Sequence, residues 1–537
     1  MNKKIVISTL LAITVISFLL TVVNFRIPSP PSFNADEAAF GYNAYSLLKT
    51  GKDEYGTFLP LRLKSFGDYK MPLYSYLSVP FIAVMGLTET STRALNAFLS
   101  LLFPLAVFLL TRELFKKDLY GLVAAFFCAT SLGLHIVARH AHEAYLAAFL
   151  TTTTFYFLLR FLKRQSKLAG LFFSLSLFLM LFAYQTGRLF AGLFFCAAVI
   201  YAIQQKKVKK YLPIFLIVII IIGVFSISDL IYKPERLKSL FFFSSPGVQL
   251  TVNELKTEGG IRYLYNPLFV GIREMAFEHF SYFSPQFLLQ NGDGNDRFGY
   301  KGMGLITPIE YILFFVGIYY LVKKREEWGF VLLFILFLTP LSASLSWSTS
   351  SLTRSLFLLI PISTLAGYGA VNLFHSLKKN YYSYLTIGLV VCLFGYLALM
   401  QWDFYLFHYP KRLITIHAWQ AGYKEVNGYI RENYDSTNHF YITRDIGQPY
   451  IFTLFYLQYP PAKYQKEAIL SSPDEYGFGQ VEKFDKFIFE FKSPSKLQKN
   501  DVVIGSRDNF REIEKQYNPI VIAPQGEPMF EIYKKSN

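Results

Sequence analysis

The feature that most constrains this chain is a succession of apolar runs, each about twenty residues long, separated by short stretches rich in Lys and Arg. The runs cover residues 5–25, 93–114, 119–137, 143–163, 168–184, 188–204, 211–230, 306–322, 329–346, 352–374 and 381–402. A helix rises 1.5 Å per residue, so about twenty residues match the ~30 Å hydrocarbon core of a bilayer. Charged residues make up only 17% of the chain, against ~25% in an average soluble protein. The first run follows Met1-Asn2-Lys3-Lys4, a charged start that a signal peptide shares. It is long enough to span, however, and no small-x-small cleavage site follows it, which predicts an uncleaved first span. The expectation is an all-α polytopic membrane protein with about eleven transmembrane helices.

The segment 72–87 is also apolar, but it is short and Pro72 and Pro80 interrupt it. The positive-inside rule decides its placement. If 72–87 lies at the interface without crossing, the cytoplasmic loops collect Lys3, Lys4, Arg112, Lys116, Lys117, Arg160, Lys163, Arg164, Lys167, Lys206, Lys207, Lys209, Lys210, Lys323, Lys324, Arg325, Lys378 and Lys379. The short outer connections then hold only Arg139, Arg188 and Arg354. If it crossed, most of those clusters would move outside. The predicted topology is multi-pass in the cell (plasma) membrane, with the N-terminus cytoplasmic and the C-terminus extracytoplasmic. The net charge of +16 is thereby assigned to orientation in the lipid bilayer and not to nucleic acid.

Two parts follow. Residues 1–406 form a transmembrane domain with a first outer loop at 26–92 and a long outer loop at 231–305. Residues 407–537 form a small extracytoplasmic α/β domain, with strand-like runs at Phe440–Thr443, Phe487–Phe491 and Ile520–Ala523. Cys128, Cys196 and Cys392 all lie within apolar runs and form neither a zinc nor a disulfide pattern.

In this topology Asp36, Glu37, Asp68, Lys70, Arg139, His142, Glu143, Arg188, Asp293, Arg297 and Arg354 all fall at the outer face. Ionisable residues at membrane spans are costly and usually functional. Each also has a plainer reading. Asp36-Glu37 opens DEAAFGYNAYSLLKTG, which reads as a helix with Asn34 or Asp36 as N-cap and Gly51 as stop. The plain reading is capping, and the functional one is a carboxylate that takes a proton from an acceptor. Lys70 reads either as a snorkelling lysine or as a point charge for phosphate. Arg139 and Glu143 are spaced for an i,i+4 ion pair, and the competing reading has Glu143 facing Asp36. Arg188, after Tyr184-Gln185-Thr186-Gly187, reads as an interfacial anchor or as a grip on an anionic lipid head, and Arg354 has the same two readings. Gly292-Asp293-Gly294-Asn295-Asp296-Arg297 resembles a calcium loop but lacks the distal bidentate Glu, so a turn-rich surface loop is favoured. No P-loop, Rossmann glycine pattern, GxSxG or HExxH is present, so no nucleotide-driven site is visible.

The Asp-Glu pair after the first span, the Lys-x-Pro-Leu segment at Lys70 and the Arg…Glu opening a later span together resemble the membrane glycosyltransferases of the GT-C fold. The likeness is to bacterial family 39 members related to protein O-mannosyltransferases and lipid A aminoarabinose transferases, and it covers roughly residues 1–400. It implies a polyprenyl-phosphate-linked sugar donor, a lipid, glycan or protein acceptor, and inversion at the anomeric carbon. Asp36 matches the family's base, Lys70 the lysine on the donor phosphate, Glu143 a second acid near the site and Arg188 a phosphate-binding arginine. Glu37 joins them as a catalytic candidate and Arg139 as a phosphate-binding one. Asp68, His142, Tyr184, Asp293, Arg297 and Arg354 are candidates for substrate contact. Some relatives carry Glu directly before the lysine and Pro-Pro after it. Here Tyr69 precedes Lys70 and Met71-Pro72 follow, so neither a metal nor another cofactor is predicted. The alternatives are a polyprenyl-linked glycan polymerase or ligase, and a lipid-carrier flippase or transporter. The flippase is disfavoured because no internal repeat is seen and the charges gather at one face.

Overall fold

The computed structural model describes residues 2–24, 28–66, 68–206, 216, 218–220, 223, 246–345, 350–377, 381–472, 479–511 and 517–536. The expected span 211–230 and the start of the 231–305 loop thus lie almost wholly outside the described residues. The chain divides into two compact units.

The first unit comprises Met1–Val23, Ala97–Ala138 and Glu143–Phe404. Its helices begin with α1 (Lys3–Val22), most of α4 (Glu89–Phe115), α5 (Asp118–Thr130), α6 (Leu132–Ala138), α7 (Glu143–Arg164), α8 (Lys167–Leu181) and α9 (Gln185–Gln204). Among the described residues, seven helices are long and apolar enough to cross a membrane: Lys3–Val22, Glu89–Phe115, Glu143–Arg164, Gln185–Gln204, Glu327–Ser344, Leu352–Ser376 and Tyr381–Lys411. Two further expected spans are shorter helices, α8 with 15 residues and Pro308–Lys324 with 17.

The expected single span 119–137 is a broken one. Helices α5 and α6 meet at a 56° bend. Ser131 there has extended backbone, at φ −61° and ψ 114°. The carbonyl of Leu305 collects the donors that the break releases, accepting from the Gly133 N–H at 2.9 Å and the Ser131 hydroxyl at 3.2 Å. A break inside an apolar run is sustainable only where a second chain segment satisfies the freed groups in this way.

The second unit comprises Asn24–Asn96, Arg139–His142 and Tyr405–Asn537. Helix α2 (Ala35–Thr50) is framed by a capping box at Asn34 and by Gly51 in the left-handed region at φ 69°. Asn34, and not Asp36, is therefore the cap. A hairpin of β1 (Leu63–Ser65) and β2 (Asp68–Lys70) follows, with Leu63 opposite Lys70. Helix α3 (Leu73–Met85) has 13 residues and covers only about 20 Å, too short to cross.

Beyond residue 405 the strands β3 (Phe440–Ile442), β4 (Ile469–Leu470), β5 (Val481–Phe484), β6 (Phe487–Ile488), β7 (Val502–Gly505), β8 (Ile520–Ile522) and β9 (Phe530–Lys534) form one sheet in the order β4-β5-β6-β3-β7-β9-β8. Strand β3 runs parallel to β6 and β7, and the other pairs are antiparallel. The strand-like runs of the tail thus lie in β3, β6 and β8.

The sequence reading groups residues 26–92 with the membrane part and separates them from 407–537. The packing groups them otherwise. Phe33, Ala38, Tyr42 and Ile82 share one buried core with Tyr423, Phe440, Phe452, Phe455 and Phe530. Helix α2 is apolar enough on its inner side to need a partner, and the helix Pro449–Tyr456 supplies it. Phe33 and Phe455 lie 4.7 Å apart, and the Tyr42 hydroxyl donates to the Tyr459 carbonyl at 2.9 Å.

Candidate active site

Asp36 and Glu37 are the second and third residues of α2, and successive helical residues point about 100° apart. That angle separates their fates. Glu37 turns inward and is fully buried. Its Oε2 accepts from the Asn34 N–H at 3.2 Å, closing the capping box. Arg93, on α4, grips it with both arms: Nε donates to Oε1 at 2.7 Å and Nη2 to Oε2 at 2.8 Å. The Ala141 N–H adds a bond to Oε1 at 2.8 Å. The carboxylate is thus hydrogen-bonded on both oxygens by the framework.

Asp36 turns outward and its side chain is 38% exposed. Its Oδ1 accepts from Lys70 Nζ at 2.7 Å. The ammonium lies 4.9 Å from the centre of the Phe40 ring and 4.6 Å from that of Phe66. The negative faces of two aromatic rings attract the ammonium and cover one side of it. The structure therefore brings Asp36 and Lys70, 34 residues apart in sequence, into one ion pair at the edge of solvent.

The strap 139–142 is not helical, since α6 ends at Ala138 and α7 begins at Glu143. The i,i+4 geometry that the Arg139–Glu143 spacing suggests needs a continuous helix and is not formed. Arg139 is buried. Its Nε donates to the Ser29 carbonyl at 2.7 Å and its Nη2 to Asn24 Oδ1 at 2.8 Å, and its guanidinium lies 5.8 Å from the Tyr405 ring centre. His142 is half-buried, and its ring lies 5.5 Å from that of His140. Asn96 holds the strap, donating to the carbonyls of His140 and His142 at 2.8 and 3.1 Å. Asp68 opens β2.

Glu143, Tyr184, Arg188, Asp293, Arg297 and Arg354 belong to the first unit. Four of them gather. Tyr184 hydrogen-bonds to the side chains of Thr353 and Arg354, and Glu143 acts on it electrostatically. Asp293 is buried and accepts from the N–H groups of Asn295 and Leu352, at 2.8 and 2.5 Å. Burial pushes its carboxyl up to about 6, against the backbone N–H groups of Asn295, Leu352 and Thr353 and the charge of Arg354. Arg188 is half-buried in α9. Arg297 lies 5.8 Å from the Phe298 ring centre, and its N–H donates to Asn295 Oδ1 at 3.0 Å. Among the described residues no three His, Cys, Asp or Glu side chains are grouped as metal ligands.

Three residues were invisible to sequence reasoning. Arg93 stands where an apolar run begins and reads as the edge of a span. Asn96 reads as an isolated polar residue in that run. Glu54, in Lys52-Asp53-Glu54-Tyr55-Gly56, reads as part of a solvated turn, yet it is fully buried. The one available signal was Gly56 beside three charged residues, a common turn composition.

No protein-family model and no curated protein matches this chain. Solved structures do. ArnT from Cupriavidus metallidurans in the apo state aligns with a TM-score of 0.53 at 14% identity, covering 99% of this chain and 98% of that one. The same protein bound to undecaprenyl phosphate aligns with a TM-score of 0.54 at 13% identity and the same coverage. The oligosaccharyltransferase AglB from Archaeoglobus fulgidus, in complex with an inhibitory peptide and a dolichol-phosphate, aligns with a TM-score of 0.47 at 12% identity over 85% of this chain. This chain spans only 64% of the AglB length, and so distant a likeness carries no argument. At such identities a likeness speaks to fold, and the chain has the GT-C membrane fold that it shares with ArnT.

Proposed function

We infer that this protein is a membrane glycosyltransferase that moves a sugar from a polyprenyl-phosphate-linked donor to an acceptor hydroxyl outside the cytoplasm, with inversion. The observation that carries this reading is the solvent-edge pair of Asp36 and Lys70, at 2.7 Å, beside a Glu37 held wholly by the framework. The donor phosphodiester carries one negative charge, as a carboxylate does, but it offers Lys70 more acceptor oxygens and gains a second charge as the sugar leaves. Donor binding then exchanges the partner of Lys70 and releases Asp36 beside the sugar. Asp36 takes the proton of the acceptor hydroxyl as that oxygen bonds to the anomeric carbon. The bond from that carbon to the phosphate oxygen breaks, and its electron pair leaves with the lipid phosphate. Lys70 stabilises the growing charge.

Arg188 is proposed as a further phosphate contact, and the cluster of Glu143, Tyr184, Asp293 and Arg354 as groups that contact substrate. Arg139, with Ser29, Asn24 and Tyr405 around it, fits a framework role better than a ligand-binding one. No metal enters this reading. The resemblance of ArnT, whose structure contains undecaprenyl phosphate, supports a lipid-phosphate partner here. The topology that suits the reading has the N-terminus cytoplasmic and the second unit outside.

The test is transfer of radiolabelled sugar from polyprenyl-phosphate donors by purified protein, across a panel of lipid, glycan and protein acceptors. Asp36→Asn is expected to fold normally and lose roughly 10²–10⁴-fold in turnover. Equal turnover in wild type and Asp36→Asn removes Asp36 as the base. Donor movement across liposomes without transfer would instead identify a flippase.

A further inference from the structure

A second acid acts electrostatically on Lys70, and the reaction as written does not use it. Glu54 follows α2 in the first outer loop, and its N–H donates to Asn43 Oδ1 at 3.0 Å, which pins the turn to that helix. The side chain is fully buried. Its Oε1 accepts one long bond, from the Tyr450 hydroxyl at 3.3 Å, and that hydroxyl also lies 3.2 Å from the hydroxyl of Tyr55. Its Oε2 is buried and has no hydrogen-bond partner among the described residues. So poorly solvated a carboxyl rests as the neutral acid, because an ionised one would need several donors or a close cation.

The groups facing Glu54 come from every element packed around it. They are Asp53 and Tyr55 in its own turn, Tyr42 on α2, Lys64 on β1, Lys70 on β2, Tyr450 on the helix Pro449–Tyr456 and Tyr464 on the helix Pro461–Glu467. Burial and the neighbouring Asp53 push the carboxyl up to about 8, while Lys70, Tyr450 and Lys64 pull the other way. The link to Lys70 is also one of packing. The Tyr450 ring meets Phe66 edge-on at 6.0 Å, and Phe66 is one of the two rings beside the Lys70 ammonium.

We propose that Glu54 is a positioning residue that governs the anion held by Lys70: as the neutral acid it leaves the ammonium to the ligand, and as the carboxylate it competes for that charge. This rests on the reading of Lys70 as the donor-phosphate contact. Lys70 then acts on two acids, Asp36 in direct contact and Glu54 through space. A phosphate arriving at Lys70 meets less opposing charge when Glu54 carries its proton. Anion binding and protonation of Glu54 therefore favour one another, so affinity falls as pH rises through about 8 and levels off above it.

The experiment measures binding of farnesyl phosphate to the full-length protein in detergent at pH 7.5 and 9.5, a range in which the phosphate monoester is already the dianion. Wild type is expected to lose about sixfold in affinity over that range, as one unit of coupling to a group that titrates near 8 gives. Glu54→Gln, which cannot ionise, is expected to lose at least several-fold less. Equal losses in the two proteins overturn the proposal and leave the Lys70 reading standing. Lys70→Ala is expected to bind weakly at both pH values, and wild-type binding by that variant overturns the underlying reading instead. Tyr450→Phe supplies an independent check should Glu54→Gln fail to fold. It removes a hydrogen bond that favours the carboxylate, so the alkaline fall moves to higher pH, and an unmoved midpoint counts against the proposal.

Discussion

Adjacent carboxylates with opposite environments are the central fact at the scale of the residue. Glu37 is an acceptor for four backbone or guanidinium N–H donors, and Asp36 pairs with the flexible Lys70 at the edge of solvent. Removing one partner of a buried ion pair leaves the other uncompensated, at a cost of about 3–5 kcal/mol. Arg93→Ala is accordingly expected to lower the thermal unfolding temperature of the purified protein sharply, whereas Asp36→Asn is expected to leave it nearly unchanged while lowering turnover roughly 10²–10⁴-fold. Fluorescence melting of the two variants side by side reads the difference, and matching melts would remove the distinction drawn between the two acids. Asp36 was marked as a candidate through a family resemblance. The role of Glu37 was not legible, because its partners come from residues 93 and 141, and nothing in a local stretch of sequence says which way a side chain turns.

Helix α2 shows the same division at the scale of the element. Its ends were legible, since Asn34 and Gly51 are chemically suited to caps and act within a few residues of themselves. Its lateral fit was not. A Cβ on Gly41 would lie 2.5 Å from Thr92 Oγ1 and 2.7 Å from Phe455 Cε2, so this glycine admits both α4 and the helix Pro449–Tyr456 to close range. Gly41→Val is expected to destabilise the protein by about 1–3 kcal/mol through overpacking, and to lower turnover because it displaces the helix that carries Asp36. Wild-type stability and turnover in that variant would show that the contact is loose. The bend between α5 and α6 was likewise hidden, because an apolar run reads alike whether it is straight or broken. What sustains the break is the Leu305 carbonyl, more than 170 residues away.

For the whole molecule, the second unit changes what the C-terminal residues are for. Residues 407–537 share a core with Phe33, Tyr42 and Ile82, so the tail is part of the body that carries Asp36 and Lys70. A chain ending after Phe404 is expected to expose Phe33, Tyr42 and Ile82 and to aggregate on size-exclusion chromatography in detergent. A monodisperse and active truncation would restore the reading of the tail as an appendage. The sequence by itself determined that the chain is a polytopic helical membrane protein with a strand-bearing tail, because hydrocarbon forces every spanning segment to declare itself as an apolar run. It also indicated Asp36 and Lys70, through short motifs in a characteristic order. Only the tertiary structure decided that these two pair at 2.7 Å, that Arg93 holds Glu37, that Glu54 is buried against Tyr450, and that the first loop and the tail are one unit. The reason is physical: hydropathy acts on each segment alone, whereas ion pairs and shared cores depend on which distant segments meet.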